Sequence, residues 1–134
     1  MSDSDFKAEI ISIDYKNNFV NMRVIIPKSF IETLQKYGLI KTPLNKQNEN
    51  KLLKEIYEKI KGDKTIYKSI KNEIDNANKI LYLYDPEKQT IKYDLYLVNI
   101  GNESVDLLFR VTFTDSNISK NKHINKPNNI TNNK

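Results

Sequence analysis

Cysteine is absent from the 134 residues. That excludes a disulfide framework, a thiolate metal site and a cysteine nucleophile. Glycine occurs three times, too rarely for a glycine-rich loop that cradles phosphate. No apolar run approaches the ~18 residues of a membrane-spanning helix. The single histidine, His123, sits among lysines and asparagines with no convergent ligands, so no metal or cofactor is expected. Nucleophile-elbow, zinc-protease and P-loop patterns are missing, and no other catalytic motif stands in for them. A non-enzymatic protein is therefore the expectation.

What is present is strongly biased. Lys (20), Asn (18), Ile (18) and Tyr (8) make up almost half of the chain, against two Ala and two Arg. The abundant residues have A/T-rich codons and the scarce ones G/C-rich codons, so part of the pI near 9.2 is a codon effect. The basicity is correspondingly weak evidence for a polyanionic partner. It is also unevenly placed. Of the net charge of +5, four units come from Lys120, Lys122, Lys126 and Lys134 in residues 116–134, which contain no acid. That segment has no aromatic residue and no apolar periodicity to offset its ordering entropy, which predicts a disordered polar tail. Residues 1–115 then form one domain. The first ten residues are acidic and lack an apolar core, unlike a secretory signal, which predicts a cytoplasmic protein. A short, A/T-biased, motif-poor chain also fits an accessory protein of a phage, virus or plasmid.

Period-two patterning opens the domain. Residues 6–15 and 19–27 pair around Asn17-Asn18, both able to take a positive φ. This register sets Tyr15 against Val20, Ile13 against Met22 and Ile11 against Val24 on one apolar face, leaving Ile10 and Ile25 on the other. Pro27 ends the second strand, and Ser29-Phe30-Ile31-Glu32 reads as a capping box for a helix over 29–37 closed by Gly38. Helical spacing recurs over 50–61 (Leu52, Leu53, Ile56, Tyr57, Ile60) and over 64–78 (Ile66, Ile70, Ile74), with Asp63 a candidate N-cap between them. The lysines of these two helices alternate with acids, as on a solvated face.

The last third returns to strands, at 79–84, 90–99 and 104–114, with a type I turn at Asp85-Pro86-Glu87-Lys88. Ile91, Tyr93, Leu95 and Leu97 share a face with Val105, Leu107, Phe109, Val111 and Phe113 when Leu97 opposes Val105. The expected fold is α+β, in the order ββ-α-αα-βββ. A single antiparallel sheet of about five strands would carry three helices on one face.

Function is sought on the other face. There the last hairpin presents Tyr96, Val98 and Leu108 among Lys92, Arg110, Asp94 and Asp106. The two acids, about one position out of register, read as solvent-facing groups. Large apolar side chains rimmed by charge resemble the core and rim of a protein interface. The expected function is binding of another protein, or self-association, through Tyr96, Leu108, Lys92 and Arg110. The alternative is a nucleic-acid-binding protein using Arg23, the Lys-rich helices and Lys120, Lys122 and Lys126. Aromatics beside cations on a sheet can stack and neutralise a single strand. Arginine, the better reader of phosphate and guanine, is nearly absent.

Overall fold

The computed structural model describes residues 6–62 and 65–115. The described residues form β1 (Lys7–Asp14), β2 (Phe19–Pro27), α1 (Lys28–Lys36), a 3-10 turn (Lys46–Asn48), α2 (Glu49–Lys61), α3 (Thr65–Ile80), β3 (Gln89–Ile100) and β4 (Ser104–Asp115). The four strands make one antiparallel sheet in the order β1-β2-β4-β3. Two sequence-local hairpins are thus joined by their second strands. β2 and β4 are central, and they alternate most cleanly between buried and part-exposed residues. Their ladder sets Val20 against Val111, Met22 against Phe109, Val24 against Leu107 and Ile26 against Val105. All eight side chains are buried and form the floor of the core.

The helices roof that floor with Ile31 of α1, Leu52 and Ile56 of α2, and Ile66, Ile70 and Ile74 of α3. These are the apolar positions expected from helical spacing, and their charged flanks face solvent. None of the described helices is long and apolar enough to cross a membrane. The loop after α1 is fastened to α2 by one carboxylate. Glu55 accepts the N–H of Lys41 (2.7 Å), the N–H of Thr42 (3.0 Å) and the Thr42 hydroxyl (2.7 Å). Burial alone would raise its pKa, but those bonds, aided by Lys59, hold it below the ordinary carboxylate value.

Several expectations are corrected. The stretch 79–84 is not a strand, so the sheet has four strands rather than five. α3 instead runs on to Ile80 and ends in a Schellman motif. The N–H of Tyr82 bonds the Lys79 carbonyl (3.0 Å), and that of Leu83 bonds the Asn78 carbonyl (2.9 Å). Tyr82 takes a left-handed φ of 59°, and Leu83 turns back onto the core. The alternating apolar residues are read by a helix end and a turn, not by a ladder. The capping box at Ser29 and Glu32 does not form. α1 starts at Lys28 behind Pro27 without a side-chain cap. The Lys28 N–H is taken instead by the Glu103 carbonyl of the β3–β4 loop (2.8 Å), a tertiary bond that local sequence does not encode. Asp63 and the segment 116–134 lie outside the described residues.

Register is the other correction. The first hairpin turns through Tyr15–Asn18, so Ile13, not Tyr15, opposes Val20. A bulge between Ile10 and Ser12 then returns Ile10 to the core side opposite Met22 and leaves Ile11 half-exposed. In the second hairpin a bulge between Leu95 and Leu97 reverses the alternation of β3. Leu97 pairs with Leu108 on the outer face, and Ile100, not Leu97, opposes Val105. Val98, expected outside, is buried.

Candidate functional site

Packing of all three helices on one face of the sheet leaves the other face uncovered by the described residues. Its side chains fall in cross-strand rows set by the register. The central row contains Glu9, Arg23, Leu108 and Leu97, with Tyr96 at the bulge beside Leu97. On one side lies the row Ser12, Asn21, Arg110, Asp94, followed by Asp14, Phe19, Thr112, Lys92. On the other side lies the row Lys7, Ile25, Asp106, Asn99.

Tyr96 and Leu97 remain 50% and 45% exposed. With the half-buried Leu108 and Ile25 they form an apolar strip running from the β3 edge into the sheet centre. An ordinary strand would present one residue there. The bulge presents two, because Tyr96 is the surplus residue opposite Leu108. A second surplus residue, Ile11, adds an apolar side chain from the β1 edge.

Polar groups of both signs rim the strip. The Arg110 guanidinium lies 4.0 Å from the centre of the Phe19 ring, a cation–π contact on the open surface. Lys92 is 3.9 Å from Asp94. Asp14 accepts from the Asn17 side chain (3.0 Å) and N–H (2.9 Å), and these bonds, with a smaller contribution from Arg110, lower its pKa. Arg23 Nε is 3.3 Å from a Glu9 carboxylate oxygen. Among the described residues, the rows hold the cations Lys7, Arg23, Lys92 and Arg110 and the carboxylates Glu9, Asp14, Asp94 and Asp106. The face is therefore electrically balanced.

Each residue singled out from sequence can now be located. Tyr96, Leu108, Lys92 and Arg110 share this face. Asp94 and Asp106 do as well, but on different rows: Asp94 opposes Arg110 and Asp106 opposes Asn99, with the Leu108 row between them. Arg23 is on the face but ion-paired. Lys120, Lys122 and Lys126 lie outside the described residues. Leu97 and Ile11, expected on the core side, stand on this face instead, whereas Ile25 lies where the pairing set it, away from the main apolar face. A signal for Leu97 and Ile11 is in the sequence. Apolar positions 91, 93 and 95 continue as 98 and 100, and 8 and 10 continue as 13. Such a change of phase marks an inserted residue.

A second polar region lies under the β3 edge. The Tyr93 hydroxyl donates to Asp75 Oδ1 (2.6 Å), and Lys71 Nζ donates to Asp75 Oδ2 (2.9 Å). Asn78 is fully buried beside them on α3, its amide bonded to the Ile74 carbonyl (2.8 Å). Burial first, and then the bond to Asp75 and its charge, push the Tyr93 pKa far above the ordinary phenol value. The Asp75 bond likewise raises that of Lys71. With both of its oxygens engaged, the Asp75 carboxylate ties the sheet, through Tyr93, to α3. Comparisons with protein-family models, curated proteins and solved structures find no match to this chain.

Proposed function

We propose that this protein is a non-catalytic binding or assembly module that engages a protein partner through the uncovered face of its sheet. The observation that carries this reading is the strip of half-exposed Tyr96 and Leu97 with half-buried Leu108 and Ile25, on the sheet face that the described helices do not cover. Burial of such side chains is worth about 25 cal/mol per Å² of apolar surface, and an aromatic residue in a charged rim is the usual composition of a contact hot spot. Charge balance favours a protein over a polyanion. A nucleic-acid groove gains its affinity by neutralising phosphates with unpaired cations, whereas here carboxylates match the cations in number and Arg23 is already engaged with Glu9.

Site-specific photo-crosslinking tests the reading. A benzophenone side chain replaces Tyr96 in one protein and Tyr37, exposed at the end of α1, in another. Adducts from position 96 that are missing from position 37 are the expected result. An adduct of twice the chain mass indicates a second copy, and one of another mass indicates a different protein. Equal labelling from both positions, or none from position 96, refutes the contact face.

A further inference from the structure

Strand β4 reads Asp106-Leu107-Leu108-Phe109-Arg110. Leu107 and Phe109 are buried in the core. Asp106, Leu108 and Arg110 therefore stand in line on the outer face, about 7 Å apart. The line has an anion at one end, an apolar side chain in the middle and a cation at the other end. Reversed end to end, it is complementary to itself.

We infer that the uncovered face packs on the same face of a second copy, about a two-fold axis that crosses the strands at Leu108. This rests on the reading of that face as a contact surface. A closed pair of identical faces requires each row to meet its own image or its mirror row. About the proposed axis, Leu108 meets Leu108 of the second copy, and the Tyr96–Leu97 pair meets its own image. Asp106 meets Arg110 of the second copy, and Arg110 meets Asp106. In the same rows Asp94 meets Asn99, Asn21 meets Ile25 and Ser12 meets Lys7, so these flanking rows set no two like charges together; in the central row Arg23 meets Arg23 and Glu9 meets Glu9. The Arg23–Glu9 ion pair within each copy offsets those repulsions.

The competing two-fold, parallel to the strands, exchanges β4 with β2 and β3 with β1. It sets Leu108 on Arg23, Leu97 on Glu9 and Asp106 on Ile25. Each of those contacts desolvates a charge against an apolar group. The row chemistry therefore selects the axis across the strands, with the two sheets aligned face to face as in a β-sandwich.

Charge reversal in the full-length chain tests this by sedimentation equilibrium. The native chain should be a dimer. Asp106→Arg sets two cations against each other on both sides of the axis, and Arg110→Asp sets two carboxylates; each should weaken dimerisation by about tenfold or more. Mixing the two variants should restore the dimer as a one-to-one pair, because both ends then match. Should Arg110→Asp fail to fold beside Asp94, Asp106→Arg and the double reversal, which restores both contacts, carry the test. A native chain that is monomeric throughout overturns the second copy, while crosslinks from position 96 to another protein would still uphold the face. A dimer that Leu108→Ser dissociates but charge reversal does not overturns the axis alone. A dimer indifferent to Leu108→Ser overturns the face.

Discussion

The Tyr93 hydroxyl and the Asp75 carboxylate meet at 2.6 Å, tying edge strand β3 to α3 through a single bond below the protein surface. Tyr93 otherwise belongs to the core side of β3, and its ring also meets that of Tyr67 edge-on. Tyr93→Phe keeps the ring and removes the bond. It should cost about 2 kcal/mol, the usual worth of a hydrogen bond to a charged group, read as a lower urea midpoint with an unchanged slope. In alkali, a phenol whose folded pKa lies above its unfolded value loses its stabilising contribution as pH rises above about 10. Tyr93, and Tyr84, whose pKa is raised chiefly by burial, should ionise above the ordinary phenol range in an ultraviolet titration.

Glu55 has the opposite dependence. Its folded pKa lies below its unfolded one, so its contribution is complete above the unfolded value near 4.5 and is lost as pH falls through the folded value. Glu55→Gln should be destabilised by roughly 1–3 kcal/mol at pH 7, because an amide nitrogen then faces backbone donors. Its stability should also fall less steeply than that of the native chain between pH 5 and acid unfolding. Equilibrium urea denaturation at a series of pH values checks both.

Gly38 and Tyr82 occupy the same position in two Schellman motifs, with φ of 74° and 59°. Glycine takes that conformation freely and tyrosine does not. Tyr82 is 93% exposed, so its ring contributes little packing in return. Tyr82→Gly should raise stability by about 1 kcal/mol, a few degrees in Tm, measured by calorimetry.

Ile11 separates the observed register from the one that patterning alone suggests. In a regular hairpin it would oppose Val24 in the core; in the bulge it is 48% exposed. Ile11→Asp should therefore change stability by no more than about 0.5 kcal/mol. Val24→Asp, at a fully buried position, should lose several kcal/mol. Circular dichroism melts of the two variants decide between the registers.

Elements with a strong internal period were legible. The three helices follow from Ile31, from Leu52 and Ile56, and from Ile66, Ile70 and Ile74, because a buried stripe at helical spacing has few other solutions. Strands β2 and β4 follow from strict alternation, which no bulge interrupts in either. The remainder depended on long-range partners. The start of α1 is set by a carbonyl at Glu103, and the fate of Leu81–Tyr84 by the continuation of α3. A short apolar run fits a helix end as well as a strand. Of the candidate face, Leu108 and Arg110 could be placed by counting along β4. Leu97 needed a choice between two continuations of Ile91, Tyr93 and Leu95, one through Leu97 and one through Val98 and Ile100, because a single surplus residue inverts every assignment beyond it.

Those surplus residues are Ile11 and Tyr96, one in each edge strand of the sheet. A straight edge offers a regular row of free amides and carbonyls, and chains that add to such a row can do so without end. An irregularity in mid-strand breaks the spacing of that row and twists it away from an incoming strand. The same two residues turn apolar side chains toward the broad side of the sheet. Growth by strand addition, the direction that leads to fibres, is thereby discouraged at both edges, and the apolar side chains of the surplus residues are spent on the face instead.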